Sequence, residues 1–268
     1  MSRDPGGSHL LRIYPAAYRA AYGEEILDVH RELTLDLPRT ARLRADADLL
    51  AHALRVRLGL DSASPGGRFF ALAAPLALGV TAAYGGIQLM SWYAGVAISP
   101  GSTWSHLATT DGPQALQVLS LALMCVGAIT ALLKRTTAGT LAAVAGLLGY
   151  AALWTVTPGR YAEGPLEPIA AVLTAAVVLA APPDRRGNRH LSAVAGAMAA
   201  VAWFPVALVQ TRNFVVSTDY GVWPLLTAIL TGVALALHSR LSDLRGLAAI
   251  TAASPLFLAH ALTHGLLG

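Results

Sequence analysis

The chain has 268 residues, of which 55% are hydrophobic and only 13% are charged. Soluble domains carry roughly 25% charged residues, so this composition excludes an ordinary water-soluble fold and is typical of a membrane protein. The net charge of +4 comes from scattered arginines rather than a basic stripe, which excludes a nucleic-acid-binding surface. The single cysteine, Cys125, lies in an apolar run, so we expect neither an internal disulfide nor a cysteine metal cluster.

The first sixty residues predict a small cytosolic helical hairpin. Apolar residues recur at helical spacing in two stretches, each defining one face. These residues are Tyr14, Tyr18, Tyr22, Ile26, Val29 and Leu33 in the first stretch, and Leu43, Ala47, Leu50, Leu54 and Leu58 in the second. Such a hairpin packs on itself, on the inner membrane surface or on a partner. Residues 61–68, rich in Ser, Pro and Gly, are predicted to be a flexible linker.

The tyrosine stripe has two interpretations. Apolar residues at helical spacing usually pack together, so the stripe forms the core of the hairpin. Alternatively, Tyr14, Tyr18, Tyr22 and Arg19 form a docking face for another protein. The ten arginines of residues 1–68 could also contact anionic lipid, but nine acidic residues among them make this a minor effect.

The same region carries a resemblance to a known group of proteins. Residues 10–26 read LLRIYPAAYRAAYGEEI, and residues 48–59 read DLLAHALRVRLG. Both stretches resemble the permease-prefix type of domain found in uncharacterised actinobacterial multi-pass membrane proteins, although Ala21 stands where that pattern has arginine. The resemblance implies a helical module in front of membrane spans and carries no catalytic residues. A single lysine against eighteen arginines is consistent with a GC-rich bacterial genome.

Residues 69–268 are predicted to form a transmembrane helical bundle. A helix needs about 20 apolar residues to cross a bilayer. Seven runs come close to this length, namely 69–90, 115–133, 138–157, 166–182, 191–211, 222–238 and 246–264. We therefore expect an all-α polytopic bundle of six to seven transmembrane helices in the bacterial cell membrane, with the lipid bilayer as its surroundings.

The basic residues orient these spans. With residues 1–68 in the cytoplasm, the inner loops carry seven basic residues, which are Lys134, Arg135, Arg185, Arg186, Arg189, Arg240 and Arg245. The outer loops carry only Arg160 and Arg212. The predicted outer ends also hold most of the aromatic residues expected at headgroups, which are Trp92, Tyr93, Trp104, Trp154, Tyr161, Tyr220 and Trp223. Both patterns predict a cytoplasmic N-terminus and an outer C-terminus.

Three pairs of small residues four apart predict close helix packing in lipid. They are Ala82 with Gly86, Ala142 with Gly146, and Gly196 with Ala200.

The chain lacks the common motifs of catalysis and nucleotide binding. It has no phosphate-binding loop, no Gly-x-Ser-x-Gly elbow and no His-Glu-x-x-His, so we expect neither enzymatic activity nor a cofactor. Glu167 lies at the mouth of the fourth span, and no acidic residue is expected at mid-membrane. His260 and His264 are four apart on one helix face, and His106 in the longest outer loop could approach them to bind zinc. The alternative is a pair of interfacial histidines without a ligand.

Three functions remain open. The first is a non-catalytic, transport-associated or scaffold component whose hairpin, residues 1–60, docks a cytosolic or membrane protein. The second is a membrane sensor that relays a signal to the hairpin. The third is an outer-face enzyme or metalloprotein that uses His260 and His264.

Overall fold

In the computed structural model, the described part of the chain is entirely helical in its regular elements, which confirms the all-α fold. The described residues are 11–100, 105–106, 109–134, 136–157, 165–183, 188–212, 221–238 and 245–266. Several residues used above to orient the spans lie outside these ranges, namely Trp104, Arg135, Arg160, Tyr161, Arg185, Arg186, Tyr220 and Arg240. The chain divides into two compact units, Met1–Arg68 and Phe69–Gly268.

Between residues 11 and 64, the described part of the first unit includes the helices α1 (Ala16–Thr34) and α2 (Arg39–Arg57), each preceded by a proline. Proline fixes φ near the helical value and lacks the N–H that a first turn leaves unpaired, so it suits a helix start. The helices are also joined by side-chain contacts. His30 Nε2 lies 3.0 Å from Asp46 Oδ1, and the Arg42 guanidinium donates to the Thr34 carbonyl at 3.2 Å.

The core of this hairpin uses a different face of α2 from the predicted one. Leu11, Tyr14 and Ala53 are buried, and Leu49 and Val56 pack against them. The predicted face is largely exposed, since the side chains of Leu43, Leu54 and Leu58 point away from the core. The contacts of Tyr14 fix this face, because its hydroxyl bonds the Leu49 carbonyl and His52, and Ala53 belongs to the same buried cluster.

The predicted linker is shorter than residues 61–68. Gly59 has a φ of +65°, a left-handed conformation that glycine adopts without strain, and it follows the end of α2. The Ser64 N–H then donates to Asp61 Oδ1 at 2.8 Å, and Ser64 Oγ accepts from the Gly67 N–H at 2.9 Å. These bonds cap a helix that begins at Pro65, so residues 65–68 form its first turn.

In the described part of the chain, eight helices cover the seven predicted apolar runs, and the first of them begins at Pro65 in the first unit. Their bounds are α3 (Pro65–Ile98), α4 (Gly112–Lys134), α5 (Thr137–Val156), α6 (Leu166–Ala180), α7 (Arg189–Arg212), α8 (Trp223–His238), α9 (Arg245–Ala253) and α10 (Pro255–Ala261). The pair α9 and α10 occupies the seventh run. A single π-helical turn, Leu262–Leu266, follows α10.

By length and hydropathy, four described helices can cross a membrane, fewer than the six to seven predicted. They are α3, α4, α5 and α7. The fourth run gives a helix too short to be counted as a span, because α6 ends at Ala180 after 15 residues, about 22 Å. Pro182 and Pro183 follow and prevent its continuation. The 16 residues of α8 are likewise short of the bilayer's ~30 Å.

The seventh run is a bent pair. The axes of α9 and α10 differ by 60° around Ser254, and the pair adds a fifth candidate span if it is taken as one. Pro255 causes the break, because it has no N–H to donate to the preceding turn and its ring clashes with the carbonyl four residues earlier.

The helices pack around α3. In the most apolar 18-residue stretch of α3, 78% of the residues are buried. The corresponding stretches of the other three long helices are 39% to 44% buried. Of the three predicted pairs of small residues, two have their glycine in a close helix contact and one does not. A Cβ on Gly146 would lie 2.6 Å from the Met124 nitrogen and the Ser120 oxygen of α4, and one on Gly86 would meet the Trp203 ring. A Cβ on Gly196 would meet nothing within 4 Å.

Candidate functional site

The two predicted histidines lie together at the end of the seventh run. His260 belongs to α10 and is 8% exposed, whereas His264 lies in the π-helical turn and its side chain is 35% exposed. Their ring centroids are 4.6 Å apart with the planes tilted by 55°. The i, i+4 spacing therefore does bring the two rings side by side.

The third group of this cluster is Glu167. It stands in the first turn of α6, where a carboxylate is favoured by the helix dipole, and it is 5% exposed. Glu167 Oε1 lies 3.6 Å from His264 Nε2 and accepts from the Thr263 hydroxyl at 3.4 Å. One donor atom from each of Glu167, His260 and His264 lies within 4.8 Å of the other two.

A chain of tyrosine hydroxyls holds the other carboxylate oxygen. Tyr150 of α5 donates to Glu167 Oε2 at 2.5 Å. Its single proton is thereby used, so Tyr84 of α3 is the donor in the 2.9 Å contact between the two hydroxyls. Both tyrosines are buried. The carboxylate is thus oriented with Oε2 toward the tyrosines and Oε1 toward the histidines.

One polar atom of the cluster has no partner. His260 Nδ1 is buried and makes no hydrogen bond, while its ring stands edge-on to Tyr84 at a centroid distance of 5.8 Å and an angle of 89°. Buried polar atoms nearly always have a hydrogen-bond partner, so this nitrogen is an exception.

The other predicted zinc ligand, His106, is not part of this cluster. It lies beside a cavity lined by Trp92, Thr110 and Gln114, and its Nε2 is buried without a hydrogen-bond partner. In the structure, Glu167 rather than His106 lies beside the histidine pair. No local spacing in the sequence links Glu167 to the histidines, because it lies on another helix, far from them in sequence. A signal was present, since it is the only acidic residue inside any of the seven apolar runs.

The structure separates the four residues of the predicted docking face. Tyr14 is 3% exposed, its hydroxyl lies 2.8 Å from His52 Nδ1, and it belongs to the hairpin core. Tyr18 is partly buried and stacks on Tyr14 at 5.4 Å. Tyr22 is 50% exposed, and Arg19 is also exposed. The stripe therefore passes from core to surface along α1.

Each helix of the hairpin leaves apolar side chains exposed. On α1 these are Tyr22, Val29 and Leu33, and on α2 they are Leu43, Leu54 and Leu58. The helices differ in charge, because α1 carries four acidic residues and two arginines, whereas α2 carries five arginines and two aspartates. The exposed apolar residues of α1 therefore lie on an acidic helix, and those of α2 lie on a basic helix.

A groove of about 1240 Å³ lies between α3, α4 and α7. Apolar side chains form most of its lining, with Cys125, Ile129 and Trp203 among them. Lys134, the last residue of α4, and Arg189, the first of α7, place two positive charges beside it. This arrangement suits an apolar or amphiphilic molecule.

Comparison with known proteins identified no matching family model, no curated protein and no solved structure.

Proposed function

We propose that this chain is a non-catalytic integral membrane component, transport-associated in the manner of a permease subunit. Its N-terminal hairpin docks a cytosolic protein through the stripe formed by Tyr22, Val29 and Leu33. The observation that carries the proposal is the exposure of this stripe, since Leu33 is 65% and Val29 is 49% exposed. Apolar side chains lined up on one helix face commonly mark an interaction surface.

Charge favours a protein over a lipid surface as the occupant of the α1 stripe. The net charge of α1 is negative, so anionic headgroups of an inner leaflet repel it. The basic helix α2, with its own exposed leucines, is the one that suits the leaflet. The hairpin then contacts lipid through one helix and a protein through the other.

Membrane insertion is supported by the four long apolar helices, and the two shorter helices and the bent pair complete the seven crossings of the proposal. The cluster is consistent with that topology. Tyr150 near the end of α5, Glu167 at the start of α6 and His264 after α10 all fall at predicted outer ends, and they meet in the fold. The groove supports the transport-associated part of the proposal, because it would accept an amphiphile from the bilayer.

Two substitutions with similar expected effects on folding test the docking proposal. Leu33 and Leu43 are 65% and 68% exposed, so Leu33→Asp and Leu43→Asp both place a charge at the surface of the hairpin. We expect the full-length protein, purified in mild detergent, to lose its co-purifying partner in Leu33→Asp and to retain it in Leu43→Asp. Quantitative mass spectrometry of the two preparations measures the difference.

A photo-crosslinking residue at Val29 identifies what covers the stripe in cells. We expect a crosslink to the same protein that Leu33→Asp loses. Crosslinks to lipid alone, or to the bundle of the same chain, would contradict docking of a separate protein. Equal partner recovery from both aspartate variants would contradict it as well.

A further inference from the structure

We propose that Glu167, His260 and His264 form a binding site for a divalent transition-metal ion, with zinc as the best fit. Two imidazole nitrogens and one carboxylate oxygen are the donor types that zinc takes in sites with three protein ligands. The site lies in the second unit and does not depend on docking by the hairpin.

The donor atoms are close to the required spacing. Zinc lies ~2.0–2.2 Å from nitrogen and oxygen ligands, so tetrahedral geometry places neighbouring donors about 3.3–3.6 Å apart. Glu167 Oε1 and His264 Nε2 are 3.6 Å apart, and all three donors fall within 4.8 Å. Binding thus requires no pair of donors to close by more than about 1.5 Å. The π-helical turn that carries His264 can provide this movement, since such turns are local departures from the α-helical ladder.

The unpartnered nitrogen of His260 is the second observation that points to an ion. His260 is only 8% exposed, and its Nδ1 has neither a hydrogen-bond partner nor contact with solvent. If the two histidines and Glu167 formed only a structural ion pair, nothing would require a second imidazole beside it. A metal ion uses both rings and the carboxylate together.

The tyrosine chain gives the carboxylate the support that metal ligands usually have. Ligating groups are held in place by hydrogen bonds on the side away from the ion, and the loss of such a bond typically weakens metal binding 10-fold to 100-fold. Tyr150 holds Oε2 and is itself held by Tyr84, so the ion would be bound by Oε1, which also accepts from the Thr263 hydroxyl at 3.4 Å. Tyr150 is therefore a positioning residue rather than a ligand.

Three protein ligands leave a fourth position for water or a small ligand. The His264 side chain is 35% exposed, so this side of the cluster is open to its surroundings. In the proposed topology the cluster lies at the outer end of the bundle, where a metal ion would enter from outside the cell.

Metal binding is measured on the full-length protein, purified in detergent without a histidine tag. We expect Zn²⁺ to raise the unfolding temperature of the wild-type protein, because an ion that binds only the folded state stabilises it. Bound Co²⁺, used as a spectroscopic substitute, should give the visible absorption of a four-coordinate ion at one equivalent per chain. His264→Ala and Glu167→Gln should abolish both signals.

Two further variants separate the site from general effects. His106→Ala removes a histidine outside the cluster and should leave both signals unchanged. Tyr150→Phe should weaken Zn²⁺ binding by about 10-fold to 100-fold while the Co²⁺ band persists at saturation. The site is refuted if wild type shows neither a Zn²⁺-dependent shift nor a Co²⁺ band. It is also refuted if metal-free His264→Ala unfolds like wild type yet binds both ions equally well.

Discussion

His52 shows how a single side chain links the two helices of the hairpin. Its Nδ1 lies 2.8 Å from the Tyr14 hydroxyl, and its ring is tilted against those of Tyr14 and Tyr18. Partial burial lowers the pKa of His52 below its usual 6.5, with Arg55 adding to the shift and Asp61 opposing it. Neutral His52 can accept the Tyr14 O–H at Nδ1, or it can donate an Nδ1–H to the Tyr14 oxygen while that hydroxyl donates to the Leu49 carbonyl at 3.5 Å.

The lowered pKa predicts that the hairpin loosens in acid. The folded hairpin disfavours protonation of His52, so its contribution to stability is complete above pH 6.5. This contribution is then lost as the pH falls through the lower folded value. We expect amide hydrogen exchange in α1 and α2, corrected for intrinsic rates, to accelerate below pH 6.5. In His52→Gln this acceleration should be reduced, and an unchanged pH dependence in that variant would assign the effect to another group.

Residue-level patterns predicted the histidine pair but not its partners. The spacing of His260 and His264 within one run was sufficient to place both rings on one face. Glu167, Tyr150 and Tyr84 come from three other helices, and no local spacing in the sequence connects them. For the tyrosine stripe, the helical spacing predicted the helix. It did not distinguish Tyr14, which is buried, from Tyr22, which is exposed.

At the scale of elements, the contact between α4 and α5 depends on the absence of side chains. Gly146 of α5 faces the backbone of α4 so closely that a Cβ would lie 2.6 Å from two backbone atoms, which cannot yield as a flexible side chain would. Helices in lipid gain little from the hydrophobic effect between them, so close backbone approach supplies much of their attraction.

Gly146→Ala should therefore destabilise the bundle. Forcing a methyl group into a packed interface costs about 1–3 kcal/mol, and a clash with backbone atoms lies at the upper end of this range, above the gain of about 1 kcal/mol in helix propensity from glycine to alanine. The matched control is Gly196→Ala on α7, where a Cβ meets nothing within 4 Å. Thermal unfolding in detergent should show a lower midpoint for Gly146→Ala and an equal or higher one for Gly196→Ala. Equal midpoints for both variants would contradict this account of the interface.

At the scale of the whole molecule, the proposed topology requires the short helix α6 to cross the membrane. Its 15 residues span about 22 Å, yet Glu167 at its start meets Tyr150 and His264, which end two other crossings in the proposed topology. A short helix in a bundle can cross where the bilayer thins locally or flanking residues extend the span.

Cysteine labelling in intact cells tests this crossing. In a Cys125→Ala background, Glu163→Cys lies before α6 and Asp184→Cys lies after it. We expect a membrane-impermeant maleimide to label Glu163→Cys from outside and Asp184→Cys only after permeabilisation. Labelling of both positions from outside would show that α6 does not cross and would overturn the seven-crossing topology.

The sequence by itself determined the all-α fold and the position of each apolar helix, because hydrophobic content and helical period are local properties. It overestimated the number of long spans, since hydropathy continues through Pro182 and Pro255 whereas the helical hydrogen-bond ladder does not. Only the tertiary structure decided which faces of the hairpin are buried and which residues surround His260 and His264. These depend on contacts between helices distant in sequence, such as that of the Tyr14 hydroxyl with His52 and that of the Glu167 carboxylate with Tyr150 and His264.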